Sequence, residues 1–509
     1  RPARAAARAG EAMAGAALLA AAALQGRALL RSEAHALLEG AAADTGGALQ
    51  LAQLLGWLRI TGAVAAGGGR RRREYRCQRC GSGEAHMHRT ACAACGRMCA
   101  YCSACLTMGR SRECELLVLG MPAPMLPAGS TPAGLHKWQL SPAQAAAAES
   151  ALRFIEAPHQ PHRSDQGKEF LLWAVTGAGK TEMIFPLVES VLIRGGRALI
   201  ATPRRDVVIE LDPRIRRAFP EATVVTLYGG SEQRWEAGDI TLATTHQLMR
   251  FYQAFDLVII DELDAFPYHG DPILHFAADK SGASHAPKLL LSATPPAELQ
   301  RRAKIGHLPH AKVPVRYHRH PLPVPKLIRT ASVAKLLQAK NLPRALLAAL
   351  NHSLARGAQL FVFVQRISQV EPMAKLLRTL LQQPAVEGTS SQDSLRADKV
   401  SRFRKCEIRV LVTTTILERG VTIPRSDVYI LDADGRLFDE ASLVQMAGRA
   451  GRSGDDPRGL VYFCGRERTR SQIAAVRHIR AMNRIAGRQG YLIKEETTAH
   501  SFWRHLLKL

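Results

Sequence analysis

At 509 residues the chain exceeds a single compact core, and at about 100–200 residues per domain three or four folded units are expected. Hydrophobic residues make up 47% and charged ones 22%, an ordinary globular balance that sets aside a disordered or fibrous chain. Lys and Arg (69) outnumber Asp and Glu (44), and the resulting +25 favours polyanionic partners, because each neutralised phosphate releases condensed counterions. An Arg- and Ala-rich coding bias would give the same surplus, so charge alone does not identify the partner.

Residues 1–74 are expected to be a helical segment and linker. The stretch 1–65 is rich in Ala and Leu, with a break at Gly46-Gly47, and 67–73 is three glycines followed by four arginines. Arg1, Arg4 and Arg8 precede the apolar run 13–24, as in a signal peptide, but the run is Ala-dominated and weakly hydrophobic. No stretch offers the ~20 strongly apolar residues of a membrane span, so a cytoplasmic protein is expected. Ten cysteines occur and eight lie between Cys77 and Cys114. In a long chain with nucleotide-binding motifs, that density points to a metal module over 75–120 and not to disulfides. A Pro- and Gly-rich linker covers 121–136.

Beyond it, short apolar runs alternate with helical stretches: 170–175, 198–201, 223–227, 257–260 and 288–291 read as strands. A basic, Pro-rich joint follows at 313–330, and the alternation resumes at 360–364, 410–413, 428–431 and 460–463. Strands alternating with helices imply parallel sheets covered on both faces, with ligands at the strands' carboxyl ends. The expected fold is α/β: two RecA-like parallel-sheet lobes (137–312 and 331–480), preceded by the cysteine module and helical segment. A basic helical tail closes the chain (481–509).

The strongest chemical signal is Ala174-Val175-Thr176-Gly177-Ala178-Gly179-Lys180-Thr181-Glu182, directly after a strand and opening a helix. Glycine lets the backbone curl so that successive N–H groups face phosphate oxygens, and the helix N-terminus adds its dipole. Lys180 would reach the β- and γ-phosphates of ATP, and the Thr181 hydroxyl would hold Mg²⁺. Asp261 and Glu262 end an apolar strand, where Asp261 can share the Mg²⁺ and Glu262 can activate water. Alone, that acidic pair would pass for a helix cap. Arg449 and Arg452, spaced by Ala450 and Gly451, would stabilise the charge that spreads over the transferred γ-phosphate.

Taken in order, these motifs resemble the superfamily 2 DEAD/DEAH-box helicases. Gln144 resembles the glutamine that reads adenine. Thr202-Pro203-Arg204-Arg205 and Thr244-Thr245-His246-Gln247 resemble motifs that grip nucleic-acid phosphates. Ser292-Ala293-Thr294 resembles the element that couples hydrolysis to lobe movement. Phe361 to Val364, Thr413-Thr414 through Val421, and Gln445 through Arg452 resemble motifs IV, V and VI. Ala174 stands where the phosphate loop usually has Gly. In this resemblance Arg449 and Arg452 come from the lobe opposite Lys180, so hydrolysis requires closure.

Within that superfamily the chain resembles the ComFA family of competence-associated DNA-uptake ATPases. Three stretches carry the resemblance: Asp261 to Tyr268 (DELDAFPY), His320 to Pro325 (HPLPVP), and Cys77-x-x-Cys80 with Tyr101-Cys102-x-x-Cys105-x-x-Met108-Gly109-Arg110. They cover roughly 75–470, with 1–70 uninformative. The resemblance implies a motor that draws single-stranded DNA inward at the inner face of the cell membrane. It also implies the partners ComEC, ComFC and DprA.

Two Cx₂C knuckles, Cys77/Cys80 and Cys102/Cys105, supply four thiolates for a tetrahedral Zn²⁺. Cys92, Cys95, Cys99 and Cys114 remain, with His86 and His88 as substitute donors, and whether they hold a second zinc stays open. Cys406 and Cys464 read as ordinary motor residues. A replication-restart helicase like PriA also joins a motor to zinc, but there the cysteines interrupt the second half of the motor. A non-catalytic DNA-binding scaffold would be expected to lack Lys180, Glu262 or an arginine finger, and all are present.

Overall fold

The computed structural model describes residues 2–40, 44–66, 74–122, 134–157, 169–284, 286–415 and 423–493. The chain divides into two compact units. One comprises 1–138, 148–172 and 184–311; the other comprises 139–147, 173–183 and 312–509.

The first unit begins with helices Pro2–Leu24, Arg31–Leu37 and Thr45–Leu54, the last capped by Asp44, whose carboxylate accepts from the Gly47 N–H at 2.9 Å. The helical expectation for 1–65 misses three strands here: Ala28–Leu30, Leu58–Gly62 and Val64–Ala66. Ala28–Leu30 and Leu58–Gly62 pair antiparallel with the two edges of Leu116–Gly120, a strand that follows the cysteine block. An Ala/Leu run carries no strand signature by itself, and only this distant partner decides its state. Leu24, Leu29, Leu38, Leu49, Leu58 and Val118 fill the core between helices and sheet.

The large sheet of this region has seven strands in the order Val224–Leu227, Ile240–Thr244, Ala198–Thr202, Leu257–Asp261, Lys288–Ser292, Glu169–Ala174, His310–Val313. The first five pair in parallel. Covered on both faces, these strands read as unbroken apolar runs, which is why most were legible. Ile240–Thr244 was not, since its threonines interrupt the run.

A second sheet runs Lys326–Arg329, Val461–Gly465, Ser426–Ile430, Gln359–Phe363, Val410–Thr413, Val386–Thr389, parallel throughout. Leu360, Val362, Val410, Val412 and Tyr429 build its core against helices Arg344–Ala355 and Ile367–Leu380. The architecture is thus two RecA-like parallel sheets. The joint 313–330 is bracketed by strands His310–Val313 and Lys326–Arg329, neither expected from a Pro-rich basic segment. Of the expected basic tail, helix Arg470–Arg488 is present and 494–509 lies outside the described residues.

Candidate nucleotide and metal sites

Strand Glu169–Ala174 delivers the phosphate loop, and helix Lys180–Ile193 opens immediately after it, with Lys180, Thr181 and Glu182 in its first turn. Gly177 (φ +79°) and Gly179 (φ +75°) occupy the left-handed region, where a side chain is strained. A Cβ on Gly179 would stand 2.3 Å from Gln144 Nε2. That amide donates to the carbonyl of Ala178 at 2.9 Å, while Gln144 Oε1 accepts from the Ser141 N–H at 2.9 Å, so Gln144 braces the loop's backbone. The curled loop with its glycines is a cradle that fits a polyphosphate.

Within the same unit, Arg316 is a residue the sequence did not single out. It is fully buried, and its guanidinium donates to the carbonyls of Thr176 (3.2 Å), Ala450 (2.6 Å), Gly448 (3.2 Å) and Gly451. Burial, with Arg452 nearby, pushes its pKa down to about 9. Gly448 packs so closely that a Cβ there would lie 2.0 Å from Thr176 Oγ1. The turn carrying Arg449 and Arg452 is therefore tied to the phosphate loop through Arg316. Arg449 is buried, its carbonyl accepting from Ser426 Oγ at 2.9 Å, and Arg452 Nε donates to the Gly448 carbonyl at 2.9 Å.

In the first unit, strand Leu257–Asp261 ends at the acidic pair. Asp261 accepts from the Glu262 N–H at 2.8 Å, and Glu262 is buried with φ +56°, a backbone state costing roughly 1–3 kcal/mol off glycine. Arg204 Nε approaches the Glu262 carboxylate at 4.0 Å. Asp264, another residue not singled out as a site residue, accepts from Ser292 Oγ (2.6 Å) and Thr294 Oγ1 (2.8 Å). The Thr294 N–H closes the ring onto Ser292 Oγ at 2.9 Å. The Ser292-Ala293-Thr294 segment is thus bonded directly to the acidic turn.

Of the expected DNA-contacting residues, Thr244 and Thr245 are buried where strand Ile240–Thr244 meets a short 3₁₀ turn, Thr245–Arg250. The guanidinium of Arg205 stands 4.7 Å over the Tyr228 ring. Thr413 and Thr414 are buried at the end of Val410–Thr413, while 416–421 of that motif lie outside the described residues.

The cysteine block divides cleanly. Cys77, Cys80, Cys102 and Cys105 are all buried, with their sulfurs within 4.8 Å of one another. Cys77–Cys105 and Cys80–Cys102 stand at 3.6 and 3.7 Å. Zn–S bonds of about 2.3 Å in a tetrahedron put sulfurs ~3.8 Å apart, so these four fit a closed zinc site. The first knuckle is seated on the motor fold: Lys280 Nζ donates to the carbonyls of Arg79 (2.6 Å) and Met249 (3.2 Å). Burial holds the Lys280 pKa down at about 8. Glu33 gathers Arg79 (3.0 Å), Arg234 (3.4 Å) and Arg250 (3.4 Å) nearby. Cys92, Cys95, Cys99 and Cys114 form a second group of the same span.

Three family descriptions match consecutive parts of the chain: the competence protein ComFA N-terminal domain at 19–119, the DEAD/DEAH box helicase at 142–302, and the helicase conserved C-terminal domain at 341–454. The first reaches well into the segment that the sequence left uninformative. The competence protein ComFA of Bacillus subtilis is 37% identical over 421 residues, 82% of this chain and 87% of that protein. The ComFA of Streptococcus pneumoniae is 36% identical over 389 residues, 76% of this chain and 86% of that one. Among solved structures, S. cerevisiae Dbp5 bound to RNA and ADP BeF3 is similar at TM-score 0.47 and 16% identity, over 69% of this chain and 93% of that one. Among the described residues no helix is long and apolar enough to cross a membrane. Kinship across the N-terminal domain and both motor domains gives the conclusion: the chain belongs to the ComFA family, ATP-hydrolysing superfamily 2 helicases of the DEAD/DEAH type.

Proposed function

We propose that this chain is an ATP-driven single-stranded-DNA translocase that works in DNA uptake during natural transformation, in the cytoplasm at the inner face of the cell membrane. One observation carries the reading: the residue types needed for phosphoryl transfer are complete, in a chain whose N-terminal domain is that of a competence family. Lys180 and the loop N–H groups of 176–181 hold the ATP phosphates, and Gln144 fixes the loop beside the base. Thr181 and Asp261 would hold the Mg²⁺, which when bound would supply positive charge against the ATP phosphates. Glu262 orients and deprotonates the attacking water. Arg449 and Arg452 stabilise the charge that develops on the γ-phosphate.

Ser292, Ala293 and Thr294 relay the state of that site through Asp264. Arg204, Arg205, Thr244, Thr245, Thr413 and Thr414 grip the DNA backbone, so that hydrolysis shifts one grip against the other. Cys77, Cys80, Cys102 and Cys105 hold a structural Zn²⁺ with no open position. ComEC, ComFC and DprA are the expected partners, because the ATPase would act between a membrane channel and a recombination mediator.

The test is ATPase rate with and without single-stranded DNA. Wild type is expected to be stimulated. Lys180→Ala should lose nucleotide binding, and Glu262→Gln should keep binding while its rate falls about 10²–10⁴-fold, as for loss of a general base. A wild-type rate indifferent to DNA would sink the motor reading. Normal transformation after disruption of the gene in a transformable host would sink the uptake role.

A further inference from the structure

The second cysteine group has features that a chance cluster of thiols lacks. Residues 92–97 repeat the backbone of 77–82 bond for bond. In the first knuckle, the Cys77 N–H donates to the Ser82 carbonyl and the Gly81 N–H to the Cys77 carbonyl, both at 2.9 Å. In the second, the Cys92 N–H donates to the Arg97 carbonyl at 3.0 Å and the Gly96 N–H to the Cys92 carbonyl at 2.8 Å. The glycine after each Cx₂C pair has positive φ, +77° at Gly81 and +68° at Gly96. This turn presents two sulfurs to one point, and glycine closes it because its φ is strained for any side chain.

The other two donors arrive from different elements. Cys99 lies in strand Met98–Cys102, which pairs antiparallel with Met87–Ala91, and Cys114 stands just ahead of strand Leu116–Gly120. All four sulfurs fall within 4.8 Å of one another, and the Cys92–Cys114 separation is 3.8 Å. That is the edge of a tetrahedron with metal–sulfur bonds of about 2.3 Å. A Zn²⁺ held by four thiolates leaves a net −2, and Arg112 is in place to answer it, its Nη1 donating to Cys92 Sγ at 3.6 Å.

We infer that this chain carries a second zinc centre, separate from the first, held by Cys92, Cys95, Cys99 and Cys114 with Arg112 as its outer support. The two sites share the hairpin 87–102: Cys102 at its end belongs to the first ion, while Cys99 and the Cys92/Cys95 turn at its tip belong to the second. Through Cys114 the second ion clamps that tip to the chain entering the middle strand of the N-terminal sheet. Four protein thiolates fill the coordination shell, so the centre is structural, with no water to activate. The inference does not depend on the translocase reading, since a motor with one zinc would hydrolyse ATP equally well.

The test is metal analysis of the full-length protein, purified under reducing conditions without added metal. Wild type should carry two equivalents of zinc, Cys95→Ser/Cys114→Ser one, and Cys80→Ser/Cys105→Ser one. Release to a chromogenic chelator should be biphasic in the wild type, because Cys114 is exposed and Cys95 half-buried while the first four thiols are buried. Arg112→Ala should speed only the fast phase, by about 10-fold or more. These last two readouts stand even if a cysteine variant fails to fold. A single equivalent released in one phase by wild type, and retained by Cys95→Ser/Cys114→Ser, would overturn the second centre and leave the first. A single equivalent lost in Cys95→Ser/Cys114→Ser would keep the second and overturn the first. Iron in place of zinc, or a mass showing disulfides among these four, would overturn the assignment.

Discussion

Arg316 and Glu262 illustrate what a single side chain reveals before its surroundings are known. Glu262 was legible because its meaning is local: an apolar strand, then adjacent carboxylates. Arg316 was not, because its acceptors, at Thr176 and at 448–451, lie 140 and 132–135 positions away in sequence. Only folding turns a basic residue in a Pro-rich joint into a buried cation satisfied by four carbonyls. Hydrogen bonds to a charged donor contribute roughly 1.5–3 kcal/mol each, and truncation leaves the acceptors stranded. Arg316→Ala should therefore cost about 3 kcal/mol or more in denaturant unfolding. ATP turnover should fall at least ~10-fold, because the turn bearing Arg449 and Arg452 loses its tie to the phosphate loop. Arg316→Lys should recover little of either, since one ammonium cannot reproduce the planar fork. Full activity in Arg316→Ala would show that the turn positions itself.

Between elements, the deciding contact is helix Arg31–Leu37 against the first knuckle and the turn Thr245–Arg250. Glu33 accepts from the Leu30 N–H at 3.0 Å and meets Arg79, Arg234 and Arg250. Arg250 is buried enough that its pKa falls to about 10. Three guanidiniums around one carboxylate leave no spare counter-charge, so Glu33→Gln should destabilise by about 3–5 kcal/mol, as when one partner of a buried ion pair is removed. The loss should extend to protease resistance of 75–115, because Arg79 belongs to the Cys77–Cys80 knuckle. Wild-type stability in Glu33→Gln would mean that Lys280 alone seats the module. Helix Arg31–Leu37 fell within the expected helical segment, yet nothing in 1–65 announced that it would pack on a cysteine knuckle. Most parallel strands of the motor were readable as apolar runs because both faces are buried, but Ile240–Thr244, Lys326–Arg329 and Val386–Thr389, interrupted by polar residues or glycine, were not. The antiparallel strands Ala28–Leu30 and Leu58–Gly62 were not, because their common partner, Leu116–Gly120, lies beyond the whole cysteine block. The cysteine block sat between: spacing singled out Cys77/Cys80 and Cys102/Cys105, whereas only the fold brings Cys114 to Cys92, Cys95 and Cys99.

At the scale of the whole chain, the +25 charge is the property that no single motif explains. The proposed DNA grips use few cations, so most of the surplus acts as a field that concentrates polyanion near the surface. That field is screened by salt, whereas the chemistry proposed for Lys180, Glu262 and Arg449 would work at a range shorter than the screening length. The two should separate in one titration. Binding to single strands loses about 0.7 of a logarithmic unit of affinity per decade of salt for each phosphate neutralised. With about six to ten phosphates engaged, raising salt from about 50 to about 200 mM should weaken activation by single-stranded DNA about 10²–10⁴-fold. ATP hydrolysis without DNA should change less than about twofold over the same range, because its groups would act over distances well inside the screening length. Arg204→Ala/Arg205→Ala should lower the logarithmic slope by about one to one and a half, as for two lost phosphate contacts. If the slope is unchanged, those arginines serve Glu262 and Tyr228 instead, and the strand is held by the wider basic surface.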